Sequence, residues 1–103
     1  MSNFAILVEG INDPSLVTDI ENTIRSSFQE MSLPGAWRVV VRPSAVSGRW
    51  DVRLHGLDVR HMLSITVPPK QLPSLIPRRL RESRDHLYEA SVKSRPFFSK
   101  PWG

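Results

Sequence analysis

From Trp37 to Val67 the chain alternates apolar and polar residues in three short runs, "AWRVVVRP", "RWDVRLH" and "DVRHMLSITV". Successive side chains of a strand point to opposite faces, so a period of two commits the segment to a sheet with one buried side and one open side. In the first run Trp37, Val39 and Val41 fall on one side, with Arg38, Val40 and Arg42 on the other. In the second, Trp50, Val52 and Leu54 oppose Arg49, Asp51, Arg53 and His55. In the third, Val59, His61, Leu63, Ile65 and Val67 oppose Arg60, Met62, Ser64 and Thr66.

The flanking segments supply a fourth strand and a covering layer. "NFAILVEG" puts Phe4, Ile6 and Val8 on one face and reads as a strand. A helix follows, with Asp13 as its N-cap and Pro14 in the first turn, where a missing N–H does no harm. Leu16, Ile20, Ile24, Phe28 and Met31 form its apolar stripe, and Pro34–Gly35 stops it. After "PPKQLPSLIP" a second helix is expected, capped by Ser74, with Pro77 in its first turn and Ile76, Leu80, Ser83 and Leu87 buried. The expected fold is an α+β two-layer sandwich in β-α-β-β-β-α order. Its four-stranded sheet is mostly antiparallel and carries two helices on one face. Residues 1–94 make a single domain, and 95–103, "RPFFSKPWG", an extended aromatic and basic tail.

Composition narrows the function classes. The 103 residues are 40% hydrophobic and 23% charged, a globular balance. The absence of cysteine excludes disulfides, thiol catalysis and cysteine-ligated zinc. The opening "MSNFAILVEG" has too short an apolar run for a leader or a membrane span, so a cytoplasmic chain with no membrane partner is expected. Eleven of the fourteen basic residues are arginine, whose guanidinium fork suits phosphates and carboxylates. Residues 1–34 carry five acidic groups against Arg25 alone, whereas the remainder is basic. The molecule should be polarised, with an anionic partner on its basic part.

Three groups of residues are candidates for contact. A two-residue turn at Gly56–Leu57 would pair His55 with Asp58, Arg53 with Arg60 and Asp51 with Met62. Like charges facing each other are unfavourable, so a row kept despite that suits an anion. A preceding loop at 44–47 would add Arg38 to the row, whereas one at 45–48 would set Arg42 against Asp51. On the second helix Arg78, Arg79, Arg81 and Arg84 could track phosphates, and Arg78–Glu82 and Arg81–Asp85 have the spacing of supporting ion pairs. The apolar centre of the open face (Val40, Met62) could receive Phe97, Phe98 and Trp102 of the tail, or a second subunit. His55, His61 and His86 lack metal-ligand spacing, and His61 has the parity of a half-buried side chain. No glycine-rich phosphate loop, nucleophile elbow or facing carboxylate pair occurs, so no catalytic residue, cofactor or metal is assigned.

In element order, residues 14–92 resemble a double-stranded-RNA-binding domain. That family grips RNA with a histidine between its first two strands and a lysine-rich start to its last helix. Here those places read "PSAVSG" and "SLIPRRLR", so no residue is carried across. The basic strand, helix and meander also resemble the RelE-type ribonuclease toxins, which usually have a further helix before the meander. The first reading is therefore a small non-enzymatic module that binds RNA or DNA phosphates through Arg38, Arg53, Arg60 and the helix arginines. A protein–protein or homodimer module, or one facing an acidic protein surface, is the second. A metal-independent ribonuclease using His55 and Arg60 is the third.

Overall fold

The computed structural model describes residues 4–33, 35–56 and 59–93, the last four as helix backbone. Strand β1 (Phe4–Val8) leads into helix α1 (Pro14–Met31), then β2 (Trp37–Pro43), β3 (Arg49–His55) and β4 (Arg60–Thr66). A single 3-10 turn at Pro69–Gln71 enters helix α2 (Leu72–Lys93). The fold is α+β and its element order is the expected one.

Local chemistry sets the helix ends. The Asp13 carboxylate accepts the amides of Ser15 at 2.9 Å and Leu16 at 3.4 Å, which caps α1. Ser32 closes it in the left-handed region, at φ 52°, donating its N–H to the Phe28 carbonyl at 3.1 Å. Helix α2 begins at Leu72 rather than behind a Ser74 cap, and Pro77 lies inside the helix, not in its first turn. Leu72 is fully buried, so packing draws the helix start back three residues from the one a Ser74 cap would give, with Pro68 and Pro69 leading into the 3-10 turn.

The sheet is mixed, in the order β1-β2-β3-β4. Strands β1 and β2 run parallel, joined through α1, whereas β2–β3 and β3–β4 are antiparallel. Trp37, Val39, Val41, Trp50, Val52, Leu54, Leu63 and Ile65 pack into one buried cluster with Ile20, Ile24, Phe28 and Met31 of α1. Leu72, Ile76, Leu80 and Leu87 of α2 complete it, and the two helices lie against each other. At the far side of this core Gly10, at φ +81°, sits so close to Pro43 that a Cβ would lie 2.4 Å from its Cγ. That position is closed to other residues.

The registers decide what the open face contains. Pairing of Arg42 with Asp51 and of Val40 with Arg53 is the arrangement given by a loop at 45–48. The next hairpin departs from expectation. Arg53 stands opposite Met62, and His55 opposite Arg60. Asp51 faces Ser64. The Gly56 N–H donates to the Val59 carbonyl at 2.8 Å, so the turn falls one residue later than Gly56–Leu57. Moving the turn by one changes every partner by two and leaves each side chain on its own face. The observed choice removes the direct Arg53–Arg60 opposition, which is the unfavourable one. It also leaves Gly56 under the Trp37 indole, where an added Cβ would lie 3.1 Å from a ring carbon.

Candidate nucleic-acid interface

The pairings lay out the open face as cross-strand rows. Ala5, Arg38, His55 and Arg60 form the row nearest the Gly56 turn. Leu7, Val40, Arg53 and Met62 form the next. Arg42, Asp51 and Ser64 follow, and Glu9 reaches this row from the end of β1. Its carboxylate lies 3.9 Å from the Arg42 guanidinium. The face is thus graded: basic at one end, largely apolar across the middle, charge-balanced at Arg42 and Asp51, and closed by the exposed Arg49 opposite Thr66.

Arg38 and Arg60 flank His55 from either side, and Arg53 lies diagonally from both. Counting outward from the Gly56–Val59 bond, His55–Arg60 and Arg53–Met62 are non-hydrogen-bonded pairs, in which side chains approach most closely. All three arginines are exposed, whereas His55 and Val40 are half-buried. Among the described residues none of the three forms an ion pair, although Arg42, Arg79 and Arg84 each do. A recess of about 400 Å³ opens beside the basic row, lined by Phe4, Ala5, Trp37, Arg38, His55 and Gly56.

The arginines of α2 belong to the other layer and are employed differently. Arg79 donates to the Ser64 carbonyl of β4 at 3.0 Å and lies 3.6 Å from the Glu82 carboxylate. Since β4 is an edge strand, this contact holds α2 to a carbonyl that points out of the sheet. Arg84 reaches Asp85 at 3.5 Å and lies over the Tyr88 ring at 5.8 Å. The ion pairs expected from helical spacing, Arg78–Glu82 and Arg81–Asp85, are therefore replaced by Arg79–Glu82 and Arg84–Asp85. Arg81 instead lines a recess against α1 with Asn22, Ser26 and Glu30, and Arg78 is exposed. So the structure unites Arg38, Arg53 and Arg60 with Val40 and Met62 on one face, and keeps Arg78, Arg79, Arg81 and Arg84 apart from them. Phe97, Phe98 and Trp102 lie outside the described residues, as does Asp58.

His55 is the member that sequence reasoning paired wrongly, assigning it to Asp58 instead of the arginine row. The signal that could have placed it was the cost of setting Arg53 against Arg60. On the inner face the His61 imidazole is held below the usual histidine range, first by burial and then by the charge of His86. The two rings lie 4.9 Å apart, centroid to centroid, between β4 and α2. Among the described residues no group of three or more His, Asp or Glu side chains could hold a metal ion, and no helix is long and apolar enough to cross a membrane.

No family model matches the sequence, and no curated protein matches it. Solved structures do share its shape. The N-terminal domain of Protein Y from Thermus thermophilus superposes with a TM-score of 0.53 at 9% identity, covering 84% of this chain and 98% of that one. A ribosomal subunit interface protein from Coxiella burnetii gives 0.49 at 10% identity, covering 87% and 99%. At such identities the likeness to Protein Y is one of fold.

Proposed function

We propose that this chain is a small, non-enzymatic module that binds nucleic-acid phosphates, with the open face of the sheet as its contact surface. One observation carries the reading: Arg38, Arg53 and Arg60 gather around His55 on one face and form no ion pair among the described residues, whereas Arg42 on the same face faces Glu9. Exposed guanidinium groups without a carboxylate are poised to bind phosphate bidentately. Arg78 and Arg81, exposed on α2, lie on the layer behind the sheet and would make only contacts separate from this surface.

The test is the salt dependence of RNA binding, followed by fluorescence anisotropy. Three phosphate contacts should cost about 20- to 40-fold in affinity between about 50 and 200 mM salt. Each of Arg38→Gln, Arg53→Gln and Arg60→Gln should flatten that slope, whereas Arg42→Gln, whose guanidinium already faces Glu9, should change it little. Affinity that does not move with salt would refute the proposal. Leu7 and Met62, each about half exposed beside Val40, favour a second reading as a protein–protein module, homodimeric or facing an acidic partner. Sedimentation that stays monomeric at every concentration rejects the homodimer.

A further inference from the structure

The phosphate reading accounts for the basic row and leaves the next row unexplained. Leu7 is 51% exposed and Met62 52%, and with Val40 beside Leu7 and Arg53 beside Met62 they make the row Leu7–Val40–Arg53–Met62. Isolated apolar side chains on a surface need no explanation, but three in one cross-strand row of four, interrupted only by Arg53, do. The row lies one step along the strands from Arg38, His55 and Arg60, roughly 7 Å away.

Resting on that reading, we infer that the open face takes single-stranded nucleic acid, with its phosphates on the Arg38–His55–Arg60 row and its unpaired bases laid on Leu7, Val40 and Met62. A duplex buries its bases in the stack and presents them only as edges inside grooves. A flat sheet face cannot enter a groove, so a duplex could satisfy the arginines and would leave the apolar row in water. A single strand can turn phosphates one way and bases the other, matching two adjacent rows of opposite character. Charge selects an anionic occupant over an apolar one, since the row is bounded on one side by Arg38 and Arg60 and contains Arg53, none of which forms an ion pair among the described residues. Arg53 stands within the apolar row itself, where its planar guanidinium can stack on a base. No Phe, Tyr or Trp side chain lies on this face among the described residues, so the bases on the apolar row are held by aliphatic burial, and the preference for single strands is modest.

The experiment measures the full chain against an oligouridylate of about ten nucleotides, its deoxythymidylate counterpart and an RNA duplex of the same length, at low salt. The expected result is about tenfold tighter binding of the single strands than of the duplex. Substituting Leu7→Thr and Met62→Thr together, both at exposed strand positions, should weaken single-strand binding about three- to tenfold. Duplex affinity and the salt slope should stay unchanged. Comparison of the RNA and DNA single strands reports whether sugar hydroxyls take part, and tight binding of either supports the inference. Equal or tighter binding of the duplex, with the double variant indistinguishable from wild type, would overturn it while leaving the phosphate reading standing. Self-association abolished by the double variant, with single-strand affinity intact, would assign the row to an interface between copies and also overturn it. Absence of salt-dependent binding to any of the three probes would remove both.

Discussion

Four strands present two surfaces here, and they are specified in different ways. On the inner face Trp37, Val39, Val41, Trp50, Val52, Leu54, Leu63 and Ile65 are at most 7% exposed, and all face the two helices. Any apolar neighbour of suitable size satisfies such a face, because burial is non-directional. On the outer face each side chain meets water and a particular cross-strand partner: Arg38 beside His55, Arg53 beside Met62, Arg42 beside Asp51. Charge makes those partners matter. The inner face is thus set by which way a residue points, and the outer by whom it stands next to. Stability should reside in the first and binding in the second.

Adjacent residues of β3 offer the sharpest way to break that division. Leu54 is fully buried, and Leu54→Ala should cost about 2–5 kcal/mol in urea unfolding through lost burial and the cavity left behind. Arg53, the next residue and exposed, should cost within about 0.5 kcal/mol as Arg53→Ala. Its loss should appear instead in nucleic-acid affinity. If Arg53→Ala destabilised as much as Leu54→Ala, the outer face would be part of the structural core and the division would fail.

The same distinction explains what was legible in the sequence. Alternation alone assigns Trp50, Val52 and Leu54 inward and Arg49, Asp51 and Arg53 outward, and every such residue is found where parity puts it. Asp13 and Pro14 announce the start of α1 because that cap is local chemistry. Parity is silent about register: a turn at Gly56–Leu57 and one a residue later bury the same side chains. Only the outer partners differ, so Arg53–Arg60 was a plausible reading and His55–Arg60 is the observed pair. The start of α2 was misplaced for a related reason. Ser74 has the chemistry of a cap, but burial of Leu72 outweighs it. The α2 ion pairs were open too, since Glu82 can be reached at i,i+3 by Arg79 as readily as at i,i+4 by Arg78.

Arg79 and Arg60 sharpen the comparison between layers. Both are arginines of the basic half, yet Arg79 holds the Ser64 carbonyl and Glu82, whereas Arg60 has no ion pair among the described residues. Arg79→Gln should lower stability by about 0.5–1 kcal/mol and leave the salt slope of RNA binding almost unchanged. Arg60→Gln should do the reverse. Chemical denaturation and anisotropy on the two variants measure both effects. Loss of affinity in Arg79→Gln equal to that in Arg60→Gln would bring α2 into the interface and extend the contact around the β4 edge.

The smallest expected effect concerns His61, the one ionisable side chain at the inward-facing positions of the meander among the described residues. His61 packs near His86, and burial, followed by the charge of that second imidazole, lowers its affinity for protons in the folded chain. The unfolded chain therefore binds more protons than the folded one as pH drops through 6.5, the unperturbed histidine value. Stability rises with pH wherever the unfolded state holds the extra protons. The contribution of His61 is thus complete above that value and is lost progressively as acid is added, until the folded imidazole itself protonates. Melting temperatures taken between about pH 7.5 and 5.5 should fall towards acid. His61→Leu should flatten that part of the profile, and His86→Gln should flatten it less, because it removes only the second cause and leaves burial in place. A profile unchanged by His61→Leu would show that protonating the inner face costs the fold nothing, and that the pH response of this chain belongs wholly to its outer surface.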